Sequence, residues 1–237
     1  MQPELEIITK EIPAKGKGYM WIRRCWPDQV DGLIRQGARS LLREGATEIY
    51  AASLDPAAPL AEGSGDGYRL EFRHDMLRLE RPLDRTCPPP EGKLTLEPLS
   101  REKVGQWLTL YNECFFDVPN SASCGRTDLE RIQAEGSRCG LAMLDGVPVG
   151  VYLLGFQEAD PEIEGMGLCK DFRGRGLGRE LLCSVMALLA GEGFGRTWLK
   201  VSTANALAYD LYRSAGFVQT RLISHWYQVI SEGDLLA

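Results

Sequence analysis

Apolar and polar positions alternate with period two in several segments of the second half of the chain, which predicts β-strands there. One pair of strands is joined at Asp145-Gly146, a dipeptide typical of a tight hairpin turn. Gly165 and Gly167 lie inside another strand, where glycine marks either a bulge and close ligand approach or room for a bulky neighbour. The predicted strand segments are residues 93–99, 138–155 (two strands), 162–169, 196–202 and 217–230 (one or two strands).

Apolar residues recur at intervals of three and four in four other segments, which predicts amphipathic helices. In one of them Leu177, Leu181, Val185 and Leu188 share a face, and in the last Gly216 supplies a stop signal. The mixture of strands and helices predicts an α/β (α+β) fold class. The predicted helical segments are residues 100–116, 126–137, 177–191 and 204–216.

The stretch "DRTCPPPEGK", from Asp84 to Lys93, is the clearest boundary in the chain. Its three consecutive prolines fit neither a helix nor a central strand. We therefore expect a linker there, with a smaller N-terminal α/β module over residues 1–90 and a larger domain over residues 93–237.

The N-terminal module repeats part of the pattern of the larger domain. Residues 28–53 have the helix–strand order of residues 178–202, and a glycine-aromatic pair follows each strand after the same interval. This spacing predicts an internal structural repeat, although two helix–strand units also resemble each other by chance. The first copy lacks the glycine-rich loop of the second, so in a repeat its ligand site is lost.

Composition excludes several classes of protein. The 237 residues are 44% hydrophobic and 25% charged with a net charge of −6, ordinary for a soluble globular protein and unfavourable for binding nucleic acid. No apolar run approaches about 18 residues and the start has no apolar core, so we expect a cytoplasmic protein with no membrane partner. Seven scattered cysteines indicate reduced thiols, and two distant histidines argue against a metal site.

The segment "FRGRGLGREL", from Phe172 to Leu181, is typical of a loop that holds phosphate. The spacing of Gly174, Gly176 and Gly178 differs from the G-x-G-x-x-G of dinucleotide sites, and no Lys-Ser/Thr follows as in a Walker loop. The remaining pattern is R-x-x-G-x-G. Glycines there let backbone N–H groups at a helix N-terminus approach a pyrophosphate. A plain glycine turn is the alternative.

A second motif, "NALAYDLYRSAGF", follows this loop after one helix and one strand. Both motifs, in this order, resemble the GNAT (GCN5-related) N-acetyltransferase superfamily, in which the R-x-x-G-x-G loop binds the pyrophosphate of acetyl-CoA. The resemblance covers residues 93–237 and is strongest over 162–217. It implies a mixed, mostly antiparallel sheet flanked by helices, with the N-terminal module as a degenerate half-GNAT or an accessory element on the acceptor side.

The resemblance also implies a set of coenzyme A contacts. Counting back from the loop arginine puts Leu168 at the N–H that polarises the thioester. Asn205 would cap its helix and bind the pantetheine arm. Tyr212 would donate a proton to the departing sulfur. The alternative is that Tyr212 is only an aromatic residue of the core, and Tyr209 is the second candidate for the proton donor. The implied contacts are Leu168, Arg173, Gly174, Arg175, Gly176, Leu177, Gly178, Asn205 and Tyr212.

Acidic residues ahead of the loop supply the candidate bases. In many members of the family a glutamate eleven residues before the loop arginine deprotonates the amine, and here that residue is Glu162. Glu164 faces the same side of a regular strand and is the second candidate. The alternatives are a solvated acidic loop, and a chain of waters in place of a protein base.

The resemblance therefore implies an acetyl-CoA-dependent N-acetyltransferase that acts by direct attack in a ternary complex. The acceptor is a primary amine of a small molecule, protein or peptide. A non-catalytic acyl-CoA-binding or sensing protein is the alternative, and a longer acyl group stays open. A covalent acyl-cysteine at Cys169 is disfavoured, because no histidine lies near this residue in sequence to act as its base. Trp226 and Tyr227 either line the acceptor pocket or belong to the core.

Overall fold

The structure, a computed structural model, describes residues 4–24, 26–55, 57–83 and 92–232. Most of the predicted linker, together with Cys25 and Cys87, lies outside these residues. By the contacts within it, the chain divides into two compact units. The first consists of Met1–Leu77, Ser202–Ala204 and Arg221–Ala237, and the second of Arg78–Val201 and Asn205–Thr220.

The first unit is built on a sheet with the strand order β1-β2-β3-β11-β5, in which β4 pairs with β5. Two of these strands, β5 and β11, continue into residues assigned to the second unit. Its elements are β1 (Glu4–Ile8), α1 (Ile12–Lys15), β2 (Lys17–Arg24), α2 (Val30–Arg43), β3 (Glu48–Ser53), β4 (Gly63–Ser64), β5 (Tyr68–Pro82) and β11 (Val218–Ser231).

Helix α2 packs one apolar face on the sheet of the first unit, and the buried residues on that face include Leu33, Ile34 and Leu41. A Cβ on Gly37 of this helix would come within 2.9 Å of the Met20 side chain, so the glycine permits close packing. Each fully buried aliphatic side chain contributes about 1.5–3 kcal/mol relative to an exposed one.

The second unit contains the strand order β10-β9-β8-β7-β6 and four α-helices among its described residues. Its core includes the fully buried Trp107, whose indole N–H donates to the Gly140 carbonyl at 3.1 Å. Its elements are β6 (Leu94–Pro98), α3 (Val104–Phe115), α4 (Arg126–Ala134), β7 (Arg138–Leu144), β8 (Val147–Gly155), β9 (Glu162–Leu168), α5 (Leu177–Gly191), β10 (Arg196–Ser202) and α6 (Ala206–Ser214).

Every strand and helix predicted for the second half of the chain is present, with small shifts at the ends. The hairpin turn has positive φ angles at Asp145 (50°) and Gly146 (80°), as the predicted tight turn requires. The closing segment is one long strand, β11. Gly216, with a φ of 86°, follows α6 as predicted.

The extents of the two units differ from the predicted division at residues 90 and 93. The reason is β11, which pairs antiparallel with β3 from His225↔Ser53 to Val229↔Ile49. Residues 221–237 therefore belong to the first unit although they come last in the sequence. Trp226 and Tyr227 of this strand are buried in the core of the first unit, which supports the core alternative for both.

Both units contain a parallel strand–helix–strand element, as the predicted repeat requires. Strands β2 and β3 flank α2, and β9 and β10 flank α5. The two elements differ in pairing. Strands β2 and β3 stay paired over six positions, from Lys17↔Glu48 to Ile22↔Ser53, whereas β9 and β10 pair at two. In the described parts of the chain, no helix has the length and apolar character needed to cross a membrane.

Candidate active site

Strands β9 and β10 separate along their length and leave a gap in the sheet of the second unit. They pair only at Trp198↔Glu162 and Leu199↔Ile163, although β9 continues to Leu168. The backbone of β9 beyond Ile163 therefore has β8 on one side and the gap on the other. Such a gap admits an extended molecule that bonds to the strand like an added strand.

The N–H of Leu168 points into this gap. The next residue, Cys169, donates its N–H to the Val149 carbonyl at 2.9 Å, on the β8 side. Leu168 is opposite Gly150, and successive N–H groups of a strand point to opposite sides. Its N–H is therefore directed away from β8, as the predicted role in polarising a thioester carbonyl requires.

The bulge in β9 is at Glu164. The pairing with β8 passes from Leu153↔Gly165 to Leu154↔Ile163, so Glu164 is the extra residue. Gly165 and Gly167, the two glycines that suggested a bulge, are instead explained by packing against a helix. A Cβ on Gly165 would come within 3.3 Å of Phe115, and one on Gly167 within 2.9 Å of Cys114 Cβ, so both make room for α3.

The glycine loop precedes α5 and has the geometry expected of an anion site. Gly174 and Gly176 have φ angles of 74° and 80°, which favour glycine, and a Cβ at either would meet no atom within 4 Å. Gly176 caps α5, and the first helical N–H groups, those of Leu177 and Gly178, have no partner inside the helix. The loop thus exposes backbone donors at the positive end of a helix dipole.

The two loop arginines have side-chain contacts of their own. Arg173 donates from Nε to the Leu168 carbonyl at 2.8 Å and from Nη2 to the Cys114 carbonyl at 2.9 Å. It therefore fastens the loop to the end of β9 and to α3, a role that the sequence did not predict. The guanidinium of Arg175 lies over the Phe172 ring at 5.8 Å.

Asn205 precedes helix α6, and its side chain accepts from the Ala208 N–H at 3.4 Å and so provides the predicted cap. A Cβ on Gly178 would lie 3.6 Å from the side chain of Leu211, so α6 lies close to the start of α5. Tyr212 is buried and packs against Phe217, with ring centroids 5.9 Å apart. Burial raises the pKa of the Tyr212 phenol to about 12, so the hydroxyl stays protonated at neutral pH.

An acidic cavity of about 290 Å³ lies at the start of β9, the opposite end of that strand from the glycine loop. It brings the two candidate bases together with residues from α4, β8 and β10 that the sequence analysis did not select. The lining residues are Glu135, Gly155, Gln157, Glu158, Asp160, Glu162, Glu164, Trp198 and Lys200.

The two candidate bases differ in their partners. Glu162 is buried and forms an ion pair with Lys200, whose Nζ lies 3.1 Å from Oε1. Glu164 is exposed and accepts a long hydrogen bond from Ser137 Oγ at 3.5 Å. Lost solvation raises the pKa of both carboxyls, and the positive charge of Lys200 partly offsets the rise in each.

Four of the five cavity carboxylates have a cation within 4 Å. Within the part of the chain that the structure describes, Glu164 is the exception. It is therefore the cavity carboxylate best placed to receive a proton without first breaking an ion pair. The pairs are Glu135 with Arg131 at 2.9 Å, Glu158 with Arg78 at 3.0 Å, Asp160 with Arg196 at 4.0 Å and Glu162 with Lys200 at 3.1 Å.

The thiol of Cys169 lacks the features of a nucleophile. It is buried with its Sγ 4.0 Å from that of Cys114, and burial raises its pKa, so the reactive thiolate is disfavoured. These features disfavour a covalent acyl-cysteine at this position.

Comparison with known proteins relates the chain to acetyltransferases. A model of the acetyltransferase (GNAT) family matches residues 104–217. Mycothiol acetyltransferase of Thermobispora bispora is 32% identical over 229 residues, which cover 85% of this chain and 76% of that protein. Streptothricin acetyltransferase of Streptomyces lavendulae is 37% identical over 73 residues, 30% of this chain and 39% of that protein. The crystal structure of a GCN5-related N-acetyltransferase from Sphaerobacter thermophilus matches with a TM-score of 0.60 and 18% identity, over 95% of this chain and 74% of that one.

The chain belongs to the GNAT acetyltransferase family. It is an N-acetyltransferase of that family, with the mixed, mostly antiparallel sheet and flanking helices that its motifs predict.

Proposed function

We propose that the protein transfers an acetyl group from acetyl-CoA to a primary amine by direct attack within a ternary complex. The observation that carries this proposal is the gap between β9 and β10. It begins beside an acidic cavity that suits an amine, and β9 ends at a glycine loop that suits a pyrophosphate.

The donor site consists mainly of backbone groups. The N–H groups of Gly176, Leu177 and Gly178 bind the pyrophosphate of acetyl-CoA at the start of α5. The pantetheine arm lies in the gap along β9, where Asn205 contributes a side-chain amide. The N–H of Leu168 donates to the thioester carbonyl, where negative charge develops during attack. Arg173 keeps these parts in register through its two carbonyl contacts.

Proton transfer uses two side chains. The amine attacks the thioester carbon, the C–N bond forms and the C–S bond breaks. Glu164 accepts the proton that the amine loses, directly or through a water, because its carboxylate is exposed to the cavity and forms no ion pair with a described residue. The Tyr212 phenol donates to the departing sulfur, since a phenol, with a pKa of about 10 even when exposed, is protonated at neutral pH.

The acceptor is a small molecule with a cationic amine. The excess of carboxylates in the cavity attracts an ammonium group, and Glu164 then removes its proton. The relatives include proteins named mycothiol acetyltransferase and an N-alpha-acetyltransferase, RimI of Mycobacterium tuberculosis. The match with the mycothiol acetyltransferase of T. bispora covers most of this chain, which favours an amine related to mycothiol as the first acceptor to test.

We expect the protein to release coenzyme A from acetyl-CoA in the presence of such an amine, or of another member of a panel of small amines, measured with a thiol reagent. Tyr212→Phe keeps the buried ring and removes the donor, so kcat should fall about 10- to 100-fold with little change in KM for acetyl-CoA. Binding of acetyl-CoA without acceptor-dependent thiol release would instead support a non-catalytic acyl-CoA-binding protein.

We also expect one acetyl-CoA per chain in isothermal titration calorimetry. The first unit has no glycine loop between β2 and α2, and β2 and β3 pair over six positions, which leaves no gap for a pantetheine arm between these two described strands. A stoichiometry of two would show that the first copy of the repeat has kept its ligand site.

A further inference from the structure

Lys200 is the cation shared by the two candidate bases. Its Nζ lies 3.1 Å from Oε1 and 3.4 Å from Oε2 of Glu162, and 5.2 Å from the centre of the Trp198 ring. Its charge also acts on Glu164. Lys200 lies in β10 and the two glutamates in β9, next to the last point where these strands pair.

Without this cation the cavity would contain two neighbouring carboxylates of reduced hydration. In such a pair each charge raises the proton affinity of the other, as the charge of Glu164 does for Glu162. Bound to Lys200, Glu162 adds no net charge next to Glu164. The remaining cavity carboxylates have arginine partners of their own.

We propose that Lys200 is a positioning residue for acetyl transfer, whose ion pair with Glu162 neutralises that carboxylate and leaves Glu164 as the proton acceptor. This rests on the proposed function, in which Glu164 deprotonates the amine. Lys200 touches neither reacting atom. It fixes the charge and the position of Glu162, so that a single carboxylate, Glu164, is available to accept the proton of the amine.

The groups that surround Glu164 come from several elements. Lys200 lies on β10 and Glu162 on β9, and Arg131 and Glu135 belong to the end of α4, where they pair with each other at 2.9 Å. Glu158 follows β8 and pairs with an arginine. The Lys200–Glu162 pair can be removed as a unit, because its members pair with each other and their charges cancel.

Three variants separate this inference from a merely structural role. Lys200→Met removes the cation, Glu162→Gln removes its partner, and the double variant removes the pair while the net charge near Glu164 stays unchanged. Lys103→Met is the matched control, because Lys103 pairs with Glu97 on the surface of the same unit. The readouts are kcat/KM against pH for an accepted amine and the titration of labelled glutamate carboxyls by carbon-13 NMR.

The expected shifts have opposite signs. In Lys200→Met, the rising limb of kcat/KM at acidic pH and the titration of Glu164 both move to higher pH. On that limb kcat/KM therefore falls about tenfold, whereas at high pH it stays within about threefold of the wild-type value. In Glu162→Gln both move to lower pH, and in the double variant both return to the wild-type position. Lys103→Met leaves them in place.

Two results would overturn the inference. The first is a Lys200→Met variant in which neither the pH profile of kcat/KM nor the Glu164 titration shifts. The second is a double variant that is inactive at every pH, which would make Glu162 the base. Failure of the proposed function has another signature, since the wild-type protein would then release no coenzyme A with any amine. The NMR titration needs no acceptor and tests the charge coupling in that case as well.

Discussion

Gly176→Asp is expected to abolish the rise in melting temperature that acetyl-CoA causes, and to weaken binding at least about 100-fold. The residue has a φ of 80° at the cap of α5, where a Cβ would point into open space. Aspartate tolerates this conformation better than most residues and is a favourable cap, so the variant should fold. Its carboxylate would occupy the site proposed for the pyrophosphate and repel it.

The control for this variant is Gly105→Asp. Gly105 lies in the first turn of α3, and a Cβ added there would also meet no atom within 4 Å, so the variant places the same charge away from the loop. Gly176→Ala separates strain from charge and should bind acetyl-CoA with intermediate affinity. Unchanged binding by Gly176→Asp, measured by calorimetry, would show that the loop does not hold the donor.

Glu164→Gln is expected to lower kcat/KM by about 100-fold or more, because general-base catalysis typically contributes 10²–10⁴. The substitution keeps the shape of the side chain and its contact with Ser137. Lost solvation raises the pKa of Glu164, so activity of the wild-type protein should rise with pH through a limb above the usual range of a glutamate. In the variant that limb should be absent or much weaker.

A second variant tests the position of this carboxylate without removing it. A Cβ on Gly155 would clash with Glu164 Oε1, so Gly155→Ala must displace the carboxylate. We expect a reduced kcat with a melting temperature close to that of the wild type, since the displaced group is the end of a flexible side chain. If, in contrast, Glu164→Gln had the pH profile and rate of the wild-type protein, the proton acceptor would be Glu162 or a water molecule instead of Glu164.

Local chemistry explains what the sequence predicted well. The turn at Asp145-Gly146 and the cap at Asn205 are short-range signals, and the structure has both. The order of strands and helices in residues 94–217 follows from hydrophobic periodicity, which is also a local property. The glycine loop was identified by its spacing, and the φ angles at Gly174 and Gly176 confirm that the backbone there needs glycine.

Long-range contacts explain what the sequence did not predict. Lys200 and Glu162 are 38 residues apart, and nothing in "RTWLKVS" distinguishes a lysine that pairs in a cavity from one that faces water. The carbonyl contacts of Arg173 depend on where α3 packs. The place of β11 beside β3 is likewise a matter of tertiary pairing, so the predicted boundary differed from the observed units.

The separation of β9 and β10 creates a sheet edge in the interior of the strand order. Edges are normally peripheral, and they recruit further strands because their amides and carbonyls lack partners. The gap lies between two neighbouring strands of the order, so it suits one extended chain with peptide-like amides, and a pantetheine arm is such a chain. In the function proposed above, the donor would complete the sheet through backbone groups of β9 that, in two fully paired strands, would bond to the neighbouring strand.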